Sequence, residues 1–155
     1  MAGNIETRLA QLGVTLPDAP APAANYVPYV ISGDLVFVSG QISKDGDGTM
    51  ITGKLGDNMS LEAGQAAAKV CALNLIAQLK AACDGNLDRL QRVVKLGAFV
   101  NCTQDFTDHP AVVNGASDFI GEVFGDKGAH ARAAVGSPSL PLGVAVEIEG
   151  IFQIS

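Results

Sequence analysis

Apolar residues recur along the chain at two spacings, which predict two long helices and several strands. Between Ser60 and Cys83 they repeat every three or four positions, and Ser60 suits the capping position of a helix over this segment. A second helix is predicted over residues 110–124, because Pro110 suits a first helical turn and Gly125 stands just past the last one. Both segments are long enough to cover one face of a sheet.

Strand-like runs surround these helices in the order ββ(β)–α–β–α–ββ. They lie at residues 26–32, 35–40, 50–55, 93–102, 130–136 and 144–154. Ser32-Gly33-Asp34 and the segment from Lys44 to Gly48 predict turns between the early strands. Two long helices and about six strands favour an α+β fold, in which one mixed sheet carries both helices on one face.

The first 23 residues predict a separate N-terminal segment. A short helix is expected from Asn4, taken as its N-cap, to Leu12, with Gly13 ending it. Pro17, Pro20 and Pro22 then predict an extended linker. The chain therefore divides into residues 1–23, a helix with a Pro-rich linker, and residues 24–155, one main domain.

Alternation in the last two strands predicts which side chains share a sheet face. In residues 144–154 one face is apolar, and Glu147 and Glu149 lie on the other. In the preceding strand we place Ala131, Ala133 and Val135 on the core side, which turns Arg132 the other way. The pattern therefore predicts that Arg132 and Glu147 project from the same face, the one that the helices leave uncovered.

Composition and charge narrow the classes of partner. Hydrophobic residues make up 48% of the chain and charged residues only 17%, which favours an apolar surface that meets another subunit. The net charge is −6, from 10 basic and 16 acidic residues, and the basic residues form no run. This distribution argues against binding to nucleic acid and to anionic membrane surfaces, since both need clustered positive charge.

The cysteines and histidines predict an intracellular protein without a metal centre. Cys71 and Cys83 fall about 18 Å apart on one predicted helix, too far for a disulfide. The odd count of three cysteines, the missing secretory signal and the absence of a 20-residue apolar stretch favour a cytoplasmic location. Two histidines and scattered cysteines do not form a zinc set, and no Gly-rich phosphate loop is present.

Several motifs in the chain resemble one known family. The segments Arg132-Ala133-Ala134-Val135, Leu140-Pro141 and Val146-Glu147-Ile148-Glu149 resemble the C-terminal signature of the RidA/YjgF family of reactive-intermediate deaminases, also labelled endoribonuclease L-PSP-like. Val38-Ser39-Gly40-Gln41-Ile42 resembles the second-strand S-G-Q motif of that family, and Asn114 matches a common helix asparagine. The likeness covers roughly residues 24–154, and the whole chain looks closest to a longer branch with an extra N-terminal helix.

The resemblance implies a fold, an assembly and a reaction. Members have a chorismate-mutase-like fold and form homotrimers in which the helix-free sheet faces pack around a central barrel, with active sites in the clefts between subunits. They hydrolyse 2-imino acids and their enamine tautomers to 2-keto acids and ammonia without a metal or organic cofactor. The expected ligand is therefore a small 2-imino or 2-keto carboxylate.

The resemblance also assigns roles to individual residues. Arg132 matches the arginine that binds the substrate carboxylate, and Glu147 the glutamate that holds the catalytic water. The remaining substrate-binding positions match Ser39, Gly40, Ala134, Asn114 and Tyr26, with Tyr29 as the competitor for the tyrosine role. Ala134 stands where many relatives carry cysteine, His130 where proline or alanine is usual, and Pro138 where a smaller or basic residue is usual.

Other interpretations of these residues stay open from the sequence. Arg132 also fits a structural ion pair with Glu147 or Glu149, and Ser39 fits a strand-end hydrogen bond rather than a nucleophile, since no base stands beside it. Tyr26 also fits packing at a subunit seam. As alternatives to a deaminase, the fold also suits a trimer that binds small carboxylates without turnover and, as the family label indicates, a ribonuclease, which the acidic charge disfavours.

Overall fold

Five strands form one mixed sheet in the computed structural model, which describes residues 3–155. The strands are β1 (Tyr29–Ser32), β2 (Leu35–Ile42), β3 (Leu90–Asn101), β4 (Ala131–Ser137) and β5 (Val146–Ile154). They lie in the order β1-β2-β5-β3-β4, and only the β3–β4 pair is parallel. The two edges of the sheet are therefore β1 and β4, and β5 lies at its centre.

Three α-helices accompany the sheet: α1 (Asn4–Gln11), α2 (Leu61–Ala82) and α3 (His109–Phe124). The Ser60 hydroxyl accepts a hydrogen bond from the Ala63 N–H at 3.1 Å, as the predicted cap requires. Pro110 occupies the first turn of α3, where its missing N–H costs nothing. Helices α2 and α3 pack against each other and against one face of the sheet, which confirms the predicted α+β architecture.

The core fills the space between the helices and this face. Buried apolar side chains of β2, β3 and β5 meet those of α2 and α3; the largest of them are Leu75, Leu79, Leu96, Ile120, Ile148 and Phe152. The predicted alternation in β5 is confirmed, because Val146, Ile148 and Phe152 are fully buried while Glu147 and Glu149 face the opposite side. That opposite face carries no helix among residues 3–155.

The prediction of about six strands is wrong by one. The run at residues 50–55 forms only isolated bridges: Met50 pairs with Lys44, Thr52 with Val144 and Leu55 with Cys102. Its pairing partners change every few residues because Gly53, at φ +145°, breaks the extended backbone. Strand β1 also begins three residues later than predicted, at Tyr29, since residues 23–26 form bends.

Asn4 is not the N-cap of α1, contrary to the sequence prediction. The helix begins at Asn4 itself, and the cap position is Gly3, which supplies no side-chain bond. The Asp88 carboxylate instead accepts hydrogen bonds from the N–H groups of Asn4 and Ile5, at 2.9 and 3.0 Å. A residue 84 positions away therefore provides the negative charge that stabilises this helix end.

The predicted sheet face of Arg132 is also wrong. In the β3–β4 register Arg132 pairs with Leu96, and Gly136 pairs with Val100. Leu96 and Val100 are fully buried in the core below the helices, so Arg132 points toward the helix side. Strand β4 is an edge strand with small residues on both faces, and its alternation therefore cannot indicate which face is buried. Arg132 and Glu147 project from opposite faces of the sheet.

The helix-free face carries exposed apolar side chains. Val30 and Phe37 lie opposite each other on β1 and β2, and Val135 lies on the same face of β4; all three are exposed. Phe99 and Ile151 line the same face between them. An apolar sheet face of this kind marks a surface that meets a partner in many proteins.

The crossing of α2 and α3 depends on Gly115. A Cβ placed on Gly115 would lie 2.1 Å from the Gln65 carbonyl oxygen of α2, which is backbone and cannot move aside alone. Gly121 on the same helix provides a matched control, since a Cβ there meets nothing within 4 Å.

We predict that Gly115→Ala lowers the free energy of unfolding by about 1–3 kcal/mol or more, because the helices must separate. Gly121→Ala should raise it by about 0.5–1 kcal/mol through helix propensity alone. Urea unfolding of both variants measures the difference. Equal midpoints for the two variants would contradict the close helix crossing.

Candidate functional site

A β-bulge in β2 shapes the first part of the candidate site. Val38 pairs with Gly150 of β5 and Gln41 with Ile148, so three steps on β2 match two steps on β5. The extra residue falls within Ser39-Gly40, the centre of the S-G-Q motif. Bulges of this kind bend a strand and redirect its side chains, and they are frequent beside active sites.

The bulge brings Gly40 against the side chain of Glu147. A Cβ at Gly40 would lie 3.0 Å from the Glu147 Cδ and 3.3 Å from its Oε2, so any larger residue would displace the carboxyl group. Glu147 is half-buried, and this burial raises the pKa of its carboxyl group, with a further contribution from the nearby charge of Glu149. A carboxyl group with a raised pKa is suited to proton transfer near neutral pH.

Glu147 and Gly40 line a cleft of about 650 Å³. The linker between Pro20 and Tyr26 forms one side of this cleft, and Met50 and Leu142 also line it. Tyr26 lies at the cleft and is 47% exposed, whereas Tyr29 lies in β1 and packs against the core. Tyr26 therefore lines the cleft and Tyr29 does not, and the substrate-binding role of Tyr26 stays a prediction.

Ser39 lies beside this cleft without lining it. Its hydroxyl donates a hydrogen bond to the Val27 carbonyl at 2.8 Å, and its N–H donates to the Pro28 carbonyl at 2.9 Å. These bonds hold the chain that follows Tyr26 against the bulge. The contacts of Ser39 match the strand-end hydrogen-bonding interpretation of this residue, and its predicted contact with a substrate stays a prediction.

Arg132 forms the centre of the second part of the site, at the edge of the sheet. Its Nη1 donates to the Asn114 Oδ1 at 2.9 Å and to the Ser117 Oγ at 3.0 Å, and its Nη2 donates to the Pro110 carbonyl at 3.2 Å. All three acceptors belong to α3. No carboxylate of residues 3–155 lies within 4 Å of the guanidinium, which excludes the structural ion pair with Glu147 or Glu149 inside this subunit.

These contacts leave two of the guanidinium donors without an acceptor among residues 3–155. Three of its five N–H donors have acceptors, whereas the Nε–H and one Nη2–H have none among residues 3–155. Nε and Nη2 are neighbours on one edge of the planar group. A carboxylate binds such an edge through two parallel hydrogen bonds.

A further chain of hydrogen bonds fixes this orientation. The Ser117 Oγ lies 2.9 Å from the His130 Nε2, and the His130 Nδ1 lies 2.6 Å from the Gly128 carbonyl. A neutral imidazole that donates a hydrogen bond from Nδ1 to the Gly128 carbonyl accepts a hydrogen bond at Nε2 from the Ser117 hydroxyl. Sequence analysis missed Ser117, although it stands three residues after Asn114 and therefore on the same helix face.

The predicted site residues therefore fall into two groups within one subunit. The glutamate half-site comprises Glu147, Gly40 and Tyr26, which line one cleft. The arginine half-site comprises Arg132 with Asn114, together with Ala134, which packs on the same face of β4. Glu147 lies on β5, two strands and about 10 Å from β4, and points to the opposite face.

The described residues give no sign of a metal centre or of a membrane-spanning segment. In residues 3–155 no three His, Cys, Asp or Glu side chains cluster as metal ligands would. Helices α1 to α3 lack the combination of length and apolar character needed to cross a membrane. Cys71, Cys83 and Cys102 are all buried, and no disulfide joins them.

Comparison with protein families and curated proteins gives consistent matches. The family model described as "YjgF/chorismate_mutase-like, putative endoribonuclease" matches residues 6–150. Protein TCP17 of Trypanosoma cruzi is 48% identical over 155 residues, covering 99% of this chain and 96% of that protein. A 2-iminobutanoate/2-iminopropanoate deaminase of Dermatophagoides farinae is 31% identical over 142 residues, covering 91% and 94% of the two chains.

Solved structures show the same fold. The protein Atu1372 of Agrobacterium tumefaciens, of unknown function, superposes with a TM-score of 0.89 at 46% identity, covering 97% of this chain and 94% of that one. Escherichia coli TdcF with bound serine superposes with a TM-score of 0.64 at 25% identity, over 88% and 94% of the two chains.

The raised pKa of Glu147 leads to a prediction about stability. A carboxyl group whose pKa is higher in the folded than in the unfolded chain favours folding only while it is protonated. Its contribution is lost as the pH rises from the unfolded value of about 4.3 through the folded pKa. Glu147→Gln removes a half-buried charge and should therefore raise the melting temperature at pH 8, with the gain disappearing below about pH 3.5.

Thermal unfolding between pH 3 and pH 8 measures this difference. Glu122, exposed on α3, supplies the matched control (E122Q), because its carboxylate remains in water. A Glu147→Gln variant that melts below the wild type at pH 8 would contradict a burial cost at this position.

Proposed function

We propose, from the premise that this chain belongs to the YjgF/chorismate mutase-like family, that it hydrolyses 2-imino acids and their enamine tautomers to 2-keto acids and ammonia. The observation that carries the proposal is Arg132, whose guanidinium is held by three neutral acceptors and keeps two donors without an acceptor among residues 3–155. The 31% identity to a 2-iminobutanoate/2-iminopropanoate deaminase supports the choice of reaction.

Arg132 binds the carboxylate of the imino acid in this proposal. Asn114, Ser117 and Pro110 hold the guanidinium without neutralising it, so its charge and two donors remain for the ligand. A fixed fork orients the ligand as well as binding it, because both carboxylate oxygens must lie in the guanidinium plane. Orientation of this kind places the imine carbon at a defined distance from the second half-site.

The two half-sites meet between subunits of a homotrimer. Within one subunit Arg132 and Glu147 lie on opposite sheet faces, and no movement of a single side chain brings them together. The exposed apolar face of β1, β2 and β4 supports association through the sheet. A neighbouring subunit then brings its arginine half-site to the cleft that contains Glu147.

Glu147 activates the water that attacks the imine. Its carboxylate accepts a proton as the water oxygen bonds to C2 of the protonated imine, and the C=N bond becomes a single bond to an amino group. The carboxyl group then returns that proton to the amino nitrogen, the C–N bond breaks, and ammonia leaves while the C2 hydroxyl gives its proton to the Glu147 carboxylate and becomes a carbonyl. Water supplies the oxygen, and no change of oxidation state and no cofactor is involved.

The test uses 2-iminopropanoate generated in situ from 2-aminoacrylate, with semicarbazide to trap the remaining imine. The wild type should accelerate pyruvate formation and reduce trapping. Arg132→Lys keeps the charge but loses the planar fork, and should lower kcat/KM about a hundredfold. Glu147→Gln should lower kcat by about 10²–10⁴ while the protein still binds keto acids.

Three outcomes would contradict the reaction. Unchanged trapping kinetics with wild-type protein that still binds pyruvate would identify a carboxylate-binding protein without turnover. Full activity in Arg132→Lys would remove the carboxylate role of this residue. RNA cleavage that survives both Arg132→Ala and rigorous repurification would favour a ribonuclease instead.

Mixed trimers test the division of the site between subunits. If Arg132 and Glu147 of one site come from different chains, subunits with Arg132→Lys and subunits with Glu147→Gln complement each other. Random reassembly of equal amounts should restore about one quarter of the wild-type sites, since each intact site needs one suitable chain on each side. Activity no higher than that of the two separate variants would show that one chain supplies both residues.

A further inference from the structure

The N-terminal segment is fastened to the main domain at several points. Asp88 holds the start of α1, the Arg8 Nε donates to the Glu122 carbonyl at 2.9 Å, and Leu9 is buried in the core. Farther along, Gln78 of α2 donates from its Nε2 to the Pro20 carbonyl at 2.6 Å. These contacts fix where the linker starts its path over the domain.

The hydrogen bond to the Pro20 carbonyl comes from a buried side chain, that of Gln78. Gln78 is 1% exposed, so its amide is a buried polar group whose donor is used on the linker backbone. A buried amide is costly unless its hydrogen bonds are made, which gives the linker a defined position at Pro20. From there to Tyr26 the linker lines the cleft that contains Glu147.

The cleft is larger than a three-carbon imino acid needs. Its volume of about 650 Å³ lies in the range in which proteins bind drug-sized ligands. The linker contributes the five residues from Pro20 to Ala24, and the other apolar lining residues include Tyr26, Met50, Pro141 and Leu142. Apolar surface therefore continues away from Glu147 toward the linker.

Leu142 gives this surface a second, independent mark of function. Its backbone lies at φ +60° and ψ +14°, a left-handed conformation that bulky side chains rarely adopt, and its side chain is 60% exposed. Strain of this kind concentrates at ligand sites because folding alone does not favour it. Met50, at 37% exposed, lines the same cleft.

We infer that the linker and Leu142 form a side-chain pocket beside Glu147, which selects 2-imino acids with a large apolar side chain. This inference rests on the proposed function and deepens it by naming the substrate class. The N-terminal segment thereby acts as a wall of the site. The substrate side chain replaces water against Leu142, Met50 and the linker prolines, while its carboxylate binds Arg132 of the neighbouring subunit.

The polar lining residues do not favour a polar side chain. The Asn74 amide donates to the Ile42 and Lys44 carbonyls, and the Gln41 amide donates to the Ser39 carbonyl. The two Asn74 amide donors and one of the two Gln41 amide donors are therefore used within the chain. Lys44 is a cationic residue that lines the cleft, so an imine with a second carboxylate is the competing ligand to be tested.

The experiment compares imines generated in situ by amino acid oxidases from leucine, alanine and aspartate. Two variants alter the pocket. Leu142→Asn replaces the apolar side chain with one that tolerates the left-handed backbone, and Gln78→Met removes the donor to Pro20 while keeping a buried side chain of similar size. Ile31→Thr is the control, since Ile31 is similarly exposed but does not line this cleft.

We expect the wild type to show a kcat/KM at least about tenfold higher for the leucine-derived than for the alanine-derived imine, because an apolar pocket binds the additional carbon atoms of the larger side chain. Leu142→Asn and Gln78→Met should each reduce this ratio by about tenfold, and Ile31→Thr should leave it unchanged. A wild-type ratio near one, an unchanged ratio in both pocket variants, or a preference for the aspartate-derived imine would overturn the inference.

Calorimetric binding of 4-methyl-2-oxopentanoate and of pyruvate separates this inference from the proposed reaction. Selective binding of the larger keto acid that is lost in Leu142→Asn, in a protein that hydrolyses no imine, would refute the reaction and support the pocket. Turnover of imines with equal affinity for both keto acids would support the reaction and refute the pocket.

Discussion

A positive charge held without a carboxylate partner among residues 3–155 is the constraint on which the candidate site depends. Arg132 lies at the edge of the sheet, and α3 holds it with an amide oxygen, a hydroxyl and a backbone carbonyl. Neutral acceptors orient a guanidinium but do not cancel its charge, so an anionic ligand still gains the full attraction. The crossing of α2 and α3 at Gly115 positions these acceptors, which links the packing of the core directly to the geometry of the site.

The carboxylates on the helix-free face are also positioned by close packing. Glu147 lies against Gly40 and Glu149 against Gly97, so each acidic side chain occupies space that a missing Cβ leaves. Close packing against backbone removes water from Glu147, and the neighbouring Glu149 adds repulsion, which together raise the pKa of Glu147. The arrangement costs stability when the group is ionised, and in the proposed reaction the same group is the base for proton transfer.

The sequence predicts the elements well and the edge of the sheet poorly, for physical reasons. The helices and β5 carry strong periodic contrasts between apolar and polar positions, and such contrasts report burial directly. Strand β4 alternates alanine with alanine and glycine with valine, so its pattern contains no comparable contrast. The face predicted for Arg132 is wrong for this reason. The predicted N-cap of α1 is wrong for a different reason. The carboxylate that accepts hydrogen bonds at this helix end belongs to Asp88, 84 residues from Asn4, and no local sequence pattern includes it.

The residues that sequence reasoning missed are those whose role depends on contact rather than type. Ser117 is an ordinary polar residue until α3 and β4 pack, when it connects Arg132 to His130, a position that the sequence already marks as unusual for the family. Leu142 and Gln78 are equally ordinary in the sequence, and only the backbone conformation of one and the burial of the other distinguish them. Ser117 contacts Arg132, Leu142 lines the cleft with Glu147, and Gln78 holds the linker at Pro20. The motifs therefore identify the candidate reacting groups, and the tertiary contacts specify their orientation and the space beside them, on which selectivity among related substrates depends in enzymes.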